Sequence, residues 1–205
     1  KQVYGLRKNM VALSDFREDP AKHPLKTPSG KIEIYSERLA DIAKTWVLPE
    51  GDVISALPKF VRTWEMPGDP LAAKYPLQCY GYHGHGRVHS SFHIHSTFHN
   101  LPWLREQFPD HVLMNPIDAK TRGIANDDPV EVFNDRGTVE LRAKVTPRIM
   151  PGVCSIPQGA WYRPVEKNGR RVDAGGNINT LTSLRPSPLA KGNAQHTVLV
   201  DVRKA

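Results

Sequence analysis

Proline interrupts this chain so often that a helical bundle is disfavoured. The 205 residues include 18 Pro and 15 Gly, and the prolines run from Pro20 to Pro188. A proline removes an amide donor and clashes with the preceding helical turn, so the pattern predicts short strands, turns and brief helices. No apolar run approaches the ~20 residues of a spanning helix, so no direct membrane insertion is expected. The two cysteines, Cys79 and Cys154, are too few for an iron–sulfur cluster or a cysteine-based zinc site, and they do not report the redox compartment. The opening residues Lys1-Gln-Val-Tyr4 are neither an initiator Met nor a signal peptide, so a processed or excised chain is expected.

Charge narrows the function classes. There are 28 Lys or Arg against 21 Asp or Glu, a net +7. The basic residues are scattered, with no zinc-finger or RNP-type motif, so no nucleic acid partner is expected. The bland reading is a solvated basic surface, and the alternative is attraction of an anionic small molecule or partner.

The chain divides into three stretches. In residues 1–45, the turn His23-Pro-Leu-Lys-Thr-Pro-Ser-Gly30 leads to Lys31-Ile-Glu-Ile-Tyr-Ser36, where Ile32 and Ile34 alternate as in a short strand. Ser36 caps a helix from Glu37 to Lys44 with Leu39, Ile42 and Ala43 on one side. This block cannot bury its own core and is expected to be the tail of a preceding catalytic domain. Residues 46–75 form a Pro-rich connector, whose Trp46, Phe60 and Trp64 need a surface to pack on.

Residues 76–205 read as a β-barrel domain. Strands are expected at Leu77–Tyr82, His111–Met114, Pro129–Phe133, Thr138–Val145, Gly152–Ile156 and Thr197–Val202, with a helix-like segment at Leu101–Gln107. Asn134-Asp-Arg-Gly137 joins two of the strands as a hairpin. Asn115 at N-cap, Pro116 at N1 and Asp118 in the first turn open a helix, and Gly123 stops it.

Several stretches carry possible chemistry. His83, His85, His89, His93, His95 and His99 crowd one loop, at spacings that can chelate a metal. The loop is also a tandem copy, His89-Ser-Ser-Phe-His93 followed by His95-Ser-Thr-Phe-His99, and duplication multiplies histidines whether or not they bind anything. Hydrogen-bonding loop histidines are the default, and no metal ligand is assigned. Gly84-His-Gly-Arg87-Val-His89-Ser90 has the glycines, forked cation and hydroxyl of a phosphate cradle, without P-loop spacing. Asn115 and Asp118 are helix-capping residues, and a carboxylate there could also accept the N1 and N2 hydrogens of a guanine. Gly175-Gly-Asn177-Ile-Asn179-Thr-Leu-Thr182 and Arg185-Pro-Ser-Pro-Leu-Ala-Lys191-Gly-Asn193 are polar loops able to line a site. No catalytic residue is assigned, because no triad or carboxylate pair is evident.

Taken in order, Thr27-Pro-Ser-Gly-Lys-Ile-Glu-Ile-Tyr-Ser-Glu37, Arg87-Val-His-Ser90, Met114-Asn-Pro-Ile-Asp-Ala119, Asn134-Asp-Arg-Gly137, Pro151-Gly-Val153 and Gly176-Asn-Ile-Asn-Thr-Leu-Thr182 resemble the C-terminal end of the molybdopterin oxidoreductases of the dimethyl sulfoxide reductase family. The resemblance implies a mainly β fold with short helices, a six-stranded double-psi β-barrel preceded by an extended segment. It implies molybdopterin guanine dinucleotide as cofactor, with the molybdenum ligated outside this chain.

By matching motif, Arg87, His89 and Ser90 approach the pterin and phosphates, Asn115 and Asp118 hold the guanine, and Asn177, Asn179, Lys191 and Asn193 lie in loops reaching the pterin. The two copies of the duplication are alternatives for the cofactor-facing loop. Asp127-Asp128 stands where the family usually has Gly-Asp, a turn that Asp can make at positive φ. The implied parent reduces an S-oxide, N-oxide or related acceptor, while this chain alone is not catalytic. Its implied partners are the remainder of the same catalytic subunit, an iron–sulfur electron-transfer subunit and a membrane anchor, in an exported, membrane-associated enzyme. The competing class is a non-enzymatic β-barrel whose His-rich loop binds a metal or a protein partner.

Overall fold

The computed structural model describes residues 11–84, 89–90, 101–193 and 198–205. It divides into two compact units, one of residues 1–48 and 53–61, the other of residues 49–52 and 62–205. No helix among the described residues is long and apolar enough to cross a membrane.

The first unit contains helices α1 (Ser14–Glu18) and α2 (Glu37–Thr45), neither with a buried residue. Ser36 caps α2 by accepting the Leu39 N–H at 3.2 Å. The strand expected at Lys31–Ser36 does not form, and Ile32 and Ile34 are 75% and 72% exposed. Local bonds take up this backbone instead: Thr27 Oγ1 donates to the Lys31 carbonyl, and Ser29 N–H donates to Glu33 Oε1, both at 2.7 Å. Without a neighbouring strand to pair with, alternation alone does not hold an extended segment.

In the second unit the strands are β1 (Leu77–Tyr82), β2 (His111–Met114), β3 (Pro129–Phe133), β4 (Thr138–Val145), β5 (Val153–Pro157), β6 (Pro164–Lys167), β7 (Arg170–Asp173) and β8 (Val198–Lys204). Six of them close a ring in the order β2-β5-β1-β8-β3-β4, with β4 returning to β2. The ring is the expected six-stranded barrel. Most of its pairings are antiparallel, but β1–β5 and β2–β4 are parallel, which requires long crossover connections. The chain ends of β1 and β5 therefore open at the same end of the barrel.

Alternation sends Val130 and Val132 of β3 and Val139 and Ala143 of β4 into one core with Ile156, Ile178 and Val200. Full burial of such a side chain stabilises the fold by about 1.5–3 kcal/mol. Glu131, on the other face of β3, is only 3% exposed, and Arg203 and Arg170 both reach its carboxylate.

The β6–β7 hairpin carries a signal that the strand reading passed over. Its turn is Asn168-Gly169, with φ of 54° and 71°, the left-handed pair that a tight two-residue hairpin demands. Helix α3 covers Pro102–Gln107 and helix α4 covers Pro116–Thr121. The end of α4 is set by Gly123 at φ 64°, with Gly123 N–H bonding to the Lys120 carbonyl and Ile124 N–H to the Ala119 carbonyl. Asp127 has φ 65°, so the carboxylate residue does occupy a left-handed turn position.

Candidate functional site

Six of the expected site residues fall at the two ends of strand β5. At its C-terminal end three loops enclose a cavity of about 260 Å³. The loop after β1 contributes His89 and Ser90, the loop after β5 contributes Gln158, Gly159 and Ala160, and the turn after β7 contributes Asn177, Ile178 and Asn179. The structure thus brings four sequence-derived candidates, His89, Ser90, Asn177 and Asn179, to one cavity. Parallel pairing is the reason, since Tyr82 of β1 and Pro157 of β5 are register partners and both chains leave the barrel side by side.

The walls are tightly joined. Gly159 has φ 93°, and a Cβ there would stand 1.7 Å from the His89 carbonyl oxygen, so only glycine permits this approach. Gln158 N–H donates to the Tyr82 carbonyl at 2.9 Å, and its side-chain amide donates to the Gly81 carbonyl at 3.2 Å. Trp161 Nε1 donates to the Ser90 carbonyl at 2.9 Å.

On the third wall, Asp173 is 1% exposed. Its carboxylate accepts the backbone N–H groups of Arg163, Gly175 and Asn177 and the Thr180 hydroxyl at 2.8–3.2 Å. Asn177 Oδ1 in turn accepts the Asn179 N–H at 3.0 Å. The described lining is uncharged apart from any proton on His89, and it offers amide, hydroxyl and imidazole groups that can both donate and accept.

Asn115 and Asp118 are elsewhere. Helix α4 follows β2, which runs antiparallel to β5, so it begins at the opposite end. Asn115 caps α4 by accepting the Ile117 N–H at 2.9 Å, and its amide nitrogen donates to the Ile149 carbonyl at 2.6 Å. Both ends of this buried side chain are therefore engaged with backbone. Asp118 accepts the Gly152 N–H at 2.8 Å through Oδ2 and is half-buried. Arg122 steadies the same turn, donating to the Asp118 carbonyl at 3.1 Å while it pairs with Asp201 at 2.7 Å. Gly152 and Gln158 are six positions apart, roughly 20 Å along an extended strand. A ligand touching both places must be elongated.

Lys191 and Asn193 lie in a loop closed by a Pro186–Asn193 bridge and a Ser187 N–H bond to the Gly192 carbonyl at 2.8 Å. The cradle arginine Arg87 lies outside the described residues, as do His85, His93 and the second histidine copy with His95 and His99. His83 and His89 are described, and their rings meet edge to face at 5.3 Å.

Sequence reasoning missed Gln158, Gly159, Trp161 and Asp173. A glycine two residues beyond a buried strand marked Gly159, and the Asn-Gly hairpin that puts Asp173 at a strand end marked the other wall.

Comparison with known proteins places the chain in a family. A family model described as the Molydopterin dinucleotide binding domain matches residues 86–199. Dimethyl sulfoxide reductase DmsA of Haemophilus influenzae is 55% identical over 95% of this chain and 23% of its own length. The dimethyl sulfoxide/trimethylamine N-oxide reductase of Cereibacter sphaeroides is 39% identical over 96% of this chain and 23% of its own. Among solved structures, acetylene hydratase from Pelobacter acetylenicus superposes with a TM-score of 0.68 at 21% identity, over 91% of this chain and 25% of that one, a likeness of fold. The chain spans about a quarter of the length of the curated relatives it matches. Its barrel, the polar cavity at the barrel's end and the matched residues agree: the chain belongs to the molybdopterin dinucleotide binding domain family.

Proposed function

We propose that this chain is the cofactor-holding part of the catalytic subunit of a dimethyl sulfoxide reductase-like enzyme, and that it binds molybdopterin guanine dinucleotide. The observation that carries the reading is the convergence of His89, Ser90, Gln158, Asn177 and Asn179 on one uncharged polar cavity in a chain of this family. These groups fit the edge of a heterocycle rich in donors and acceptors, and the bare α-carbon of Gly159 lets the His89 wall close against the loop after β5. At the other end of β5, Asp118 is suited to accept the N1 and N2 hydrogens of guanine, because Gly152 uses only part of its acceptor capacity. Asn115 supports that role from behind by fixing the start of α4. Lys191, Asn193 and Arg87 remain in the proposal as residues of loops approaching the pterin and phosphates. The net +7 charge favours approach of a polyanionic dinucleotide.

When bound, the cofactor supplies two-electron oxygen-atom chemistry at molybdenum, ligated outside this chain, for reduction of an S-oxide, N-oxide or related acceptor. The residues here bind it, orient it and tune it by hydrogen bonds. In the parent, residues 1–45 are read as the end of the preceding domain, 46–75 as a connector and 76–205 as the barrel, supported by the first strand opening at Leu77. An iron–sulfur electron-transfer subunit and a membrane anchor complete the proposed assembly.

The test is cofactor content of the full-length enzyme. Asn179→Ala and Asp118→Ala are each expected to lower the guanine nucleotide and oxidised pterin released per subunit by about tenfold, the equivalent of one lost charge-assisted or well-placed bond. Wild-type content in both variants would refute the assignment.

A further inference from the structure

The loop between β5 and β6 touches both of the other walls of the cavity. On one side, Gly159 presses its α-carbon against the His89 carbonyl, and the Trp161 indole N–H holds the Ser90 carbonyl at 2.9 Å. On the other side, a Cβ on Gly175 would stand 2.0 Å from the Trp161 carbonyl oxygen, so that carbonyl lies directly against the Gly175 backbone. Two residues further on, Arg163 N–H donates to Asp173 Oδ1 at 2.9 Å, the same oxygen that accepts the Gly175 N–H at 2.8 Å. The other oxygen of Asp173 accepts Asn177 N–H and the Thr180 hydroxyl. A continuous chain of contacts therefore runs from Ser90 through Trp161 and Asp173 to Asn177 and Asn179. Each link is a hydrogen bond or a backbone contact that admits no side chain between.

We propose that Trp161 and Asp173 are positioning residues that couple the two walls of the cavity, so that order in the Asn177–Asn179 turn fixes the His89–Ser90 loop and the reverse. Neither lines the cavity among its described lining residues, and both act through residues that do. The inference rests on the cavity being the cofactor site. A ligand that contacts one wall then orders the other, and the site binds as a unit rather than as three independent loops.

The coupling is tested on the ligand-free 205-residue chain by hydrogen exchange, which separates it from the cofactor reading. Asp173→Asn is expected to speed exchange of the Trp161 indole N–H about fivefold, the factor that loss of one ordinary hydrogen bond makes in a local opening equilibrium. Amides of β3 and β8 are expected to stay unchanged. Should Asp173→Asn unfold the barrel, Thr180→Val removes one of the four bonds and is expected to act in the same direction. Trp161→Phe, which keeps a ring but deletes the N–H, is expected to speed exchange at Asn177 and Asn179. An indole N–H that exchanges at the wild-type rate while the 177–180 amides accelerate would overturn the coupling. Failure of the cofactor reading shows differently, as normal cofactor content in full-length Asn179→Ala enzyme.

Discussion

The Asp118 carboxylate accepts the Gly152 N–H at 2.8 Å, tying helix α4 to the turn that feeds strand β5. Gly152 has φ 78° and also gives its carbonyl to Gln78 N–H at 2.9 Å, so the same turn is fixed to β1. Asp118 thus serves the fold through Oδ2, and the proposed guanine contact would use its remaining acceptor capacity. The two duties can be separated by substitution. Asp118→Asn can still offer a carbonyl oxygen to Gly152, while it replaces the other oxygen by a donor. It is expected to unfold in urea like the wild type yet retain less guanine nucleotide. Asp118→Ala is expected to lose about 1–2 kcal/mol of stability as well. Equal stability loss in both variants would show that charge, not the Gly152 bond, matters to the fold.

Gly159→Ala is expected to be severe. Its φ of 93° is strained for any L side chain, and the added carbon meets the His89 carbonyl at 1.7 Å. Backbone strain alone costs about 1–3 kcal/mol, and the collision must also displace a cavity wall. Gly123→Ala is the control, with φ 64° and nothing within 4 Å of the added carbon, and is expected to cost about 1 kcal/mol. Urea unfolding distinguishes the two, and equal losses would contradict the close approach.

Asp135 is expected to contribute to stability in acid. Hydrogen bonds from Lys74 and Tyr75 hold its carboxyl below the ordinary value of 3.8, and the bond to Asp135 raises Lys74 above 10.5. A depressed carboxylate contributes fully above 3.8 and loses that contribution as pH falls through its folded value, whereas the raised Lys74 contributes fully below 10.5 and fades only in more alkaline solution. Asp135→Asn is therefore expected to flatten the fall in urea midpoint between about pH 5 and pH 2, without changing the slope near neutrality. Some slope remains, because Asp128 is also lowered, by the Ala125 N–H and Lys204. An unchanged acid limb in Asp135→Asn would refute the contribution.

Cys79 and Cys154 are register partners on the parallel strands β1 and β5, and both are free and fully buried. The hydrogen bond with Cys79 and burial both push the Cys154 thiol well above its usual value. Alkylation by iodoacetamide in native conditions is expected to be at least about a thousandfold slower than after unfolding. Fast labelling of the native chain would place these thiols outside the core.

Local rules carried much of the fold. Alternation bounded by Pro and Gly located β1 to β5, and cap chemistry located α4 down to its Gly123 stop. The same alternation failed at Ile32 and Ile34, where short-range side-chain bonds took the backbone and no partner strand was near. Parallel pairing of β1 with β5 joins residues about 75 positions apart in the chain, as Cys79 joins Cys154, and no local pattern encodes it. The cavity depends on that pairing. The family motif singled out His89, Asn177 and Asn179, which reach the cavity, whereas Gln158, Trp161 and Asp173 are held beside it by bonds to backbone groups that residue type alone does not announce.

The most direct test of the account is amide hydrogen exchange of the full-length enzyme, cofactor-loaded against cofactor-free. Cofactor is expected to protect Gly159–Ala160, Asn177–Asn179 and Gly152 by at least about tenfold, with the barrel strand β3 unaffected. Identical exchange at all three places in the two forms would contradict the claim that this chain holds the cofactor there.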